Sequence, residues 1–114
     1  MPFFHPLQTQ TDFQHALEQS AQQPVVLFKH SATCPISAWA RRNVQEISGP
    51  EDPPVYEVVV QRARPLSNLI AAHFGIRHES PQVIVLYAGR PIFDASHYQV
   101  RPDTIRAAVA QILS

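Results

Sequence analysis

The chain has one cysteine among its 114 residues, in the stretch Ser31-Ala32-Thr33-Cys34-Pro35-Ile36-Ser37. A lone thiol can form no disulfide within its own chain and no multi-cysteine zinc cage, so covalent chemistry at Cys34 needs a sulfur from another molecule. The spacing Cys34-x-x-Ser37 says more. A second cysteine at that distance would resolve a mixed disulfide, and serine cannot. A disulfide made by Cys34 therefore waits for an outside thiol. Such chemistry suits attaching or removing a small-thiol cap and does not suit a self-contained dithiol reductase.

The surroundings favour the thiolate, the form that attacks disulfides. Cys34 lies between the apolar run Pro24-Val25-Val26-Leu27-Phe28 and a helix opened by Pro35. A helix N-terminus offers unpaired N–H groups and the positive end of the dipole. Lys29 and His30, just upstream, are expected to add positive potential, and the Ser37 hydroxyl to donate to the sulfur. Thr33 and Pro35, which flank the thiol, complete the expected thiolate-supporting set. With no resolving role for Ser37, its replacement by Ala is expected to change exchange little.

The elements that must position this thiol follow from the apolar pattern. Short β-branched and aromatic runs bounded by Gly and Pro predict strands over 24–28, 55–60, 83–87 and 91–94. The last two flank Ala88-Gly89-Arg90 and should form an antiparallel hairpin. A very short strand is expected near Leu7. A first helix starts at Thr11-Asp12 and carries Phe13, Ala16 and Leu17 on one face; a second runs from Pro35 through Trp39 and Val44 to Ile47, before Gly49-Pro50. A third covers 65–74 and stops at Gly75; the last opens at Pro102 with Ile105, Ala108, Val109 and Ile112 on one face. Trp39 reads as core, His15 and His73 as solvent-facing. Strands alternating with helices make βαβ units, and the hairpin adds an antiparallel pair. The order predicts a thioredoxin-like α/β fold: a mixed sheet of four main strands, with room for a short fifth, and about four flanking helices. One domain is expected over residues 1–114.

In that order Glu79-Ser80-Pro81 comes opposite the cysteine, the Ser80-Pro81 bond is expected to be cis, and the backbone before the proline is expected to pair with an incoming peptide or thiol. His30, His78 and His97 fall in segments expected at the sulfur end of the sheet, where they could support the thiolate or hold a ligand carboxylate. Arg77 is better placed than Arg64 or Arg101 for an anionic group. The expected substrate- or thiol-binding set is thus Arg77, His78, Glu79, Ser80, Pro81, Ser96 and His97. The six histidines show no paired ligand spacing, so no metal site is expected.

Phe28-Lys29-His30-Ser31-x-Thr33-Cys34-Pro35-Ile36-Ser37 closely resembles the signature of the YtxJ-type monothiol bacilliredoxins, a family of the thioredoxin-like superfamily. The likeness continues through Arg64-Pro65-Leu66-Ser67-Asn68-x-Ile70-Ala71 and Gly75-Ile76-Arg77-His78-Glu79-Ser80-Pro81-Gln82-Val83-Ile84, then Gly89 and Ala95-Ser96-His97. It implies a thioredoxin fold, no bound cofactor, and bacillithiol, a low-molecular-weight thiol of certain bacteria, as co-substrate. Cys34 would attack the mixed disulfide of an S-bacillithiolated client protein and carry bacillithiol away. A second bacillithiol or another reductant would restore it. Ser37 takes the position of a resolving cysteine and Ser80-Pro81 that of the cis-proline. The chain departs from the family at Phe93-Asp94, where Trp with His or Asn is frequent, and Asp94 could alter how an anionic ligand is held. The Ser48 to Pro54 connection is also individual.

Composition narrows the remaining classes. Lys+Arg and Asp+Glu are 9 each, so the formal net charge is zero, which argues against nucleic acid or an anionic membrane as partner. The 11 prolines fall mostly at element ends, and 45% hydrophobic residues exclude a disordered tail. No targeting segment and no apolar run of ~20 residues is read, so a cytoplasmic monomer with a reduced thiol is expected. Two other readings stay open: a redox-sensing or thiol-binding module modified without turnover, and a glutathione-dependent monothiol glutaredoxin-like protein, whose C-G-F-S core the chain lacks.

Overall fold

A computed structural model of the protein describes residues 4–113; residues 1–3 and 114, part of the expected domain, lie outside the described residues. The elements run β1 (Phe4–Pro6), α1 (Gln10–Ser20), β2 (Val25–His30), α2 (Pro35–Gln45), β3 (Val55–Val59), α3 (Arg64–Phe74), β4 (Gln82–Tyr87), β5 (Arg90–Ser96), a 3-10 turn (His97–Gln99) and α4 (Pro102–Leu113). They form one sheet in the order β1-β3-β2-β4-β5. β1, β3 and β2 pair in parallel, whereas β4 and β5 run antiparallel to their neighbours.

The sheet separates two apolar layers. Val26, Phe28, Val83 and Val85 face α2 and α4, where Ala40, Val44, Ile105 and Val109 meet them. Val25, Leu27, Ile84 and Leu86 face α1 and α3, where Phe13, Ala16, Leu66 and Ile70 meet them. Strand side chains alternate between faces, so the central strands β2 and β4 are apolar on both. That alternation decides which way each polar residue at the strand ends must point.

Several boundaries differ from expectation for local reasons. The short strand lies at Phe4–Pro6, and Leu7 just beyond is buried, its N–H on the Glu57 carbonyl at 2.7 Å. α1 starts earlier than Thr11 because Thr9 and Asp12 form a capping box, each side chain accepting from the other's backbone N–H. α2 ends at Gln45, before Ile47, as the chain tightens into i→i+3 bonds from Glu46 to Asn43 and from Ile47 to Val44. α3 ends on Gly75 in the left-handed region, where a Cβ would be penalised. Ala88 and Gly89, both at positive φ, close the β4–β5 hairpin as a two-residue turn. Among the described residues no helix is long and apolar enough to cross a membrane.

Candidate functional site

The parallel strand β2 ends where the antiparallel strand β4 begins, so the loops that follow His30 and precede Gln82 share one end of the sheet. Cys34 occupies the N-cap position of α2 with extended backbone (φ −104°, ψ 123°), and no side chain caps that helix end. Pro35 follows at the first helical position, where its missing N–H costs nothing. The thiol is free and partly exposed. Across the same end, the Ser80-Pro81 bond is cis.

Two networks hold the Cys34 loop. Ser37 is fully buried; its Oγ accepts the Ser31 N–H at 2.8 Å and pairs with His30 Nδ1 at 3.0 Å. Gln61, on the loop after β3, accepts the Ala32 N–H at 3.0 Å through Oε1. Its Nε2 donates to Ser31 Oγ at 2.8 Å and Thr33 Oγ1 at 3.3 Å. Sequence reading missed Gln61. Its only signal is topological: β3 lies beside β2 in parallel, so the loops that follow them are neighbours.

Three expected thiolate supports are placed differently. The Ser37 hydroxyl is taken up by Ser31 and His30 and forms no hydrogen bond with the sulfur. His30 points to the α2 face, and burial pushes its pKa below the usual value; Arg41 lowers it further, while Glu57 and the Ser37 bond oppose. It is therefore neutral near pH 7 and adds no cationic charge at Cys34. Lys29, the neighbouring residue in β2, points to the opposite face and is 1% exposed. Its Nζ donates to the Ser67 carbonyl and to His78 Nδ1, both at 3.1 Å, so its charge lies under α3 and not at the start of α2. Lys29 and His30 do not act as one electrostatic group, because strand alternation separates them.

The expected ligand-binding set falls into two parts. Glu79 lies between Arg77 Nε at 3.5 Å and His97 Nε2 at 3.4 Å. His97, at positive φ, donates its backbone N–H to the Pro81 carbonyl at 2.9 Å, which brings the end of β5 to the proline. Arg77 is 91% exposed along its side chain and open to an anionic group. His78 points inward instead: its Nδ1 meets Lys29 and also Ser67 Oγ at 3.2 Å. Burial pushes its pKa down, Lys29 and Arg64 push it further, and Glu79 opposes. Ser96 Oγ accepts a long 3.4 Å bond from Gln82 Nε2, which also donates to the Arg77 carbonyl at 3.0 Å. Trp39 is half-buried against the core, with its ring edge-on to the exposed Tyr98 at 5.6 Å. Asp94 is exposed on the edge strand β5. Among the described residues no three His, Cys, Asp or Glu are grouped to hold a metal ion.

A five-stranded mixed sheet, four helices, a cysteine at a helix start and a cis-proline at the same end of the sheet define the class of thioredoxin-fold redox proteins. Solved structures agree. A candidate oxidoreductase with a thioredoxin fold superposes with TM-score 0.85 at 29% identity, over 93% of each chain. Two thioredoxins show the same fold. That of Malassezia sympodialis gives TM-score 0.73 at 19% identity, over 95% of this chain and 89% of its own. A variant from Halobacterium salinarum gives 0.75 at 17%, over 96% and 91%. The family model described as monothiol bacilliredoxin BrxC matches residues 5–105, and the chain belongs to that family.

Proposed function

We propose that the protein is a monothiol thiol–disulfide oxidoreductase, of the YtxJ type, that removes bacillithiol from S-bacillithiolated client proteins in the cytoplasm. The Cys34 thiolate attacks the bacillithiol sulfur of the mixed disulfide. That S–S bond breaks, a Cys34–bacillithiol disulfide forms, and the client sulfur leaves as a thiolate that takes a proton from solvent. A second bacillithiol thiolate then attacks the bacillithiol sulfur of the adduct, releasing bacillithiol disulfide and the Cys34 thiolate, so one client thiol is freed for each further bacillithiol oxidised. Ser37 cannot compete, because its oxygen forms no disulfide.

The observation that carries this reading is the partly exposed lone thiol at an N-terminus that no side chain caps. The free N–H groups there suit an anionic sulfur. Glu79, Ser80 and Pro81 take the role of receiving the incoming disulfide, with Arg77 and His97 on the exposed rim for charged groups of the small thiol. Ser96 supports this rim through Gln82, and Thr33 and Pro35 shape the thiol's loop. Mixing the protein with bacillithiol disulfide should give one adduct, on Cys34, in an intact-mass measurement. An S-bacillithiolated client should then be cleared through many turnovers in the presence of bacillithiol. Absence of the adduct would overturn the reading; adduct formation with a single turnover would favour a sensor.

A further inference from the structure

Lys29 is the only lysine of the chain, and it is buried. Among the described residues no carboxylate lies within ion-pair distance of it; its ammonium is held by a carbonyl and an imidazole. Burial pushes its pKa down to about 8. A buried cation without a carboxylate is costly, and an apolar side chain of similar volume would extend the apolar run Val25–Phe28 at less expense. Stability therefore gives no reason for a lysine here.

Its bonds suggest another reason. Nζ joins three segments: β2, which leads to Cys34; the first turns of α3, through Ser67; and the stretch between α3 and β4, through His78. That stretch, 76–80, has no helical or strand pairing of its own and runs directly into Pro81. Its inner side is held by the Lys29 and Ser67 bonds to His78 and by the Gln82 bond to the Arg77 carbonyl. Lys29 and Gln82 are register partners across β2 and β4, so both ties rise from the same place in the sheet.

We infer that Lys29 is a positioning residue: by holding His78 against Ser67 it sets residues 77–81 for an incoming disulfide, without acting on the Cys34 thiol. This rests on Cys34 being the nucleophile of the proposed reaction. It separates two tasks by face of the sheet, with thiol chemistry on the α2 side and docking geometry anchored from the α3 side.

The test compares Lys29→Met, His78→Ala and His78→Asn with the unmodified protein. Misplacing a docking segment should raise KM for an S-bacillithiolated client about tenfold in Lys29→Met and His78→Ala, with kcat within about twofold. Alkylation of Cys34 by iodoacetamide should keep its rate. Amide hydrogen exchange should accelerate about tenfold at 77–80 and stay unchanged at 31–37. His78→Asn, which can present an acceptor oxygen near the Nδ1 position, should recover most of the KM. Unchanged KM and exchange in both disruptive variants would overturn the inference. So would a parallel fall of kcat, alkylation rate and folding, which would mean a merely structural lysine. If the unmodified protein turns over no client, the proposed function fails, and the exchange of 77–80 alone decides on the tie.

Discussion

Lys29 and His30 are adjacent in β2, yet they end in unlike places. On the α2 side His30, Ser37 and Ser31 form a neutral network centred on the Ser37 hydroxyl. On the α3 side Lys29, Ser67 and His78 enclose a charge that no carboxylate among the described residues answers. The first network costs little to bury and shapes the loop of Cys34. The second is expensive and ties together segments distant in sequence. A fold can thus use a single strand end for two tasks, because alternate residues do not share an environment.

The largest break in this contrast is Cys34→Ser. It should abolish adduct formation and turnover while leaving the α3-side ties intact, as read by intact mass and by exchange at 77–80. If residual turnover survived, the chemistry would not reside on the α2 side.

Next is Ser37→Ala, for which the lack of a resolving role predicts little change in exchange. It leaves the Ser31 N–H and His30 Nδ1 without their buried partner, so a loss of about 1–3 kcal/mol is expected in urea unfolding. Cys34 should then alkylate more variably as its loop loosens.

Lys29→Met should move stability the other way or by less than about 1 kcal/mol, since it removes a buried charge. The pH dependence sharpens this. The lysine pKa is lowered from 10.5 to about 8 in the folded protein, so between those values the unfolded chain binds more protons. Stability should therefore rise from pH about 8 towards 10.5, and Lys29→Met should remove that rise.

The smallest expected effect lies on the acid side. Both His30 and His78 titrate below the ordinary 6.5, mainly because of burial. The unfolded chain then binds more protons as pH falls past 6.5, so stability is full above that value and declines below it. Thermal midpoints from pH 7 to 5 should show the decline, with a shallower slope in His78→Asn.

Much of the architecture was legible in local pattern. The apolar runs around Val26, Val58 and Ile84 and the stops at Gly75 and Gly89 marked the elements, and their order led to the fold. Thr9 as a cap was missed because Thr11 offered a similar signal two residues later. At the site, Cys34, Ser37 and Pro81 could be found from type and spacing, since a strand–Cys–Pro–helix junction is a local feature. Gln61, Ser67 and Gln82 could not, because an ordinary polar residue carries no mark of what it will touch.

The sequence by itself determined that any disulfide of its one thiol needs a sulfur from another molecule, and that this thiol stands at the start of a helix in an alternating α/β chain. Only the tertiary structure decided what surrounds it. Alternation along β2 sends Lys29 and His30 to opposite faces, but which helix covers each face depends on crossovers spanning tens of residues. Those crossovers put α3 over the lysine and α2 over the histidine, and so set one side chain to brace the 77–81 stretch and the other to hold the loop of Cys34.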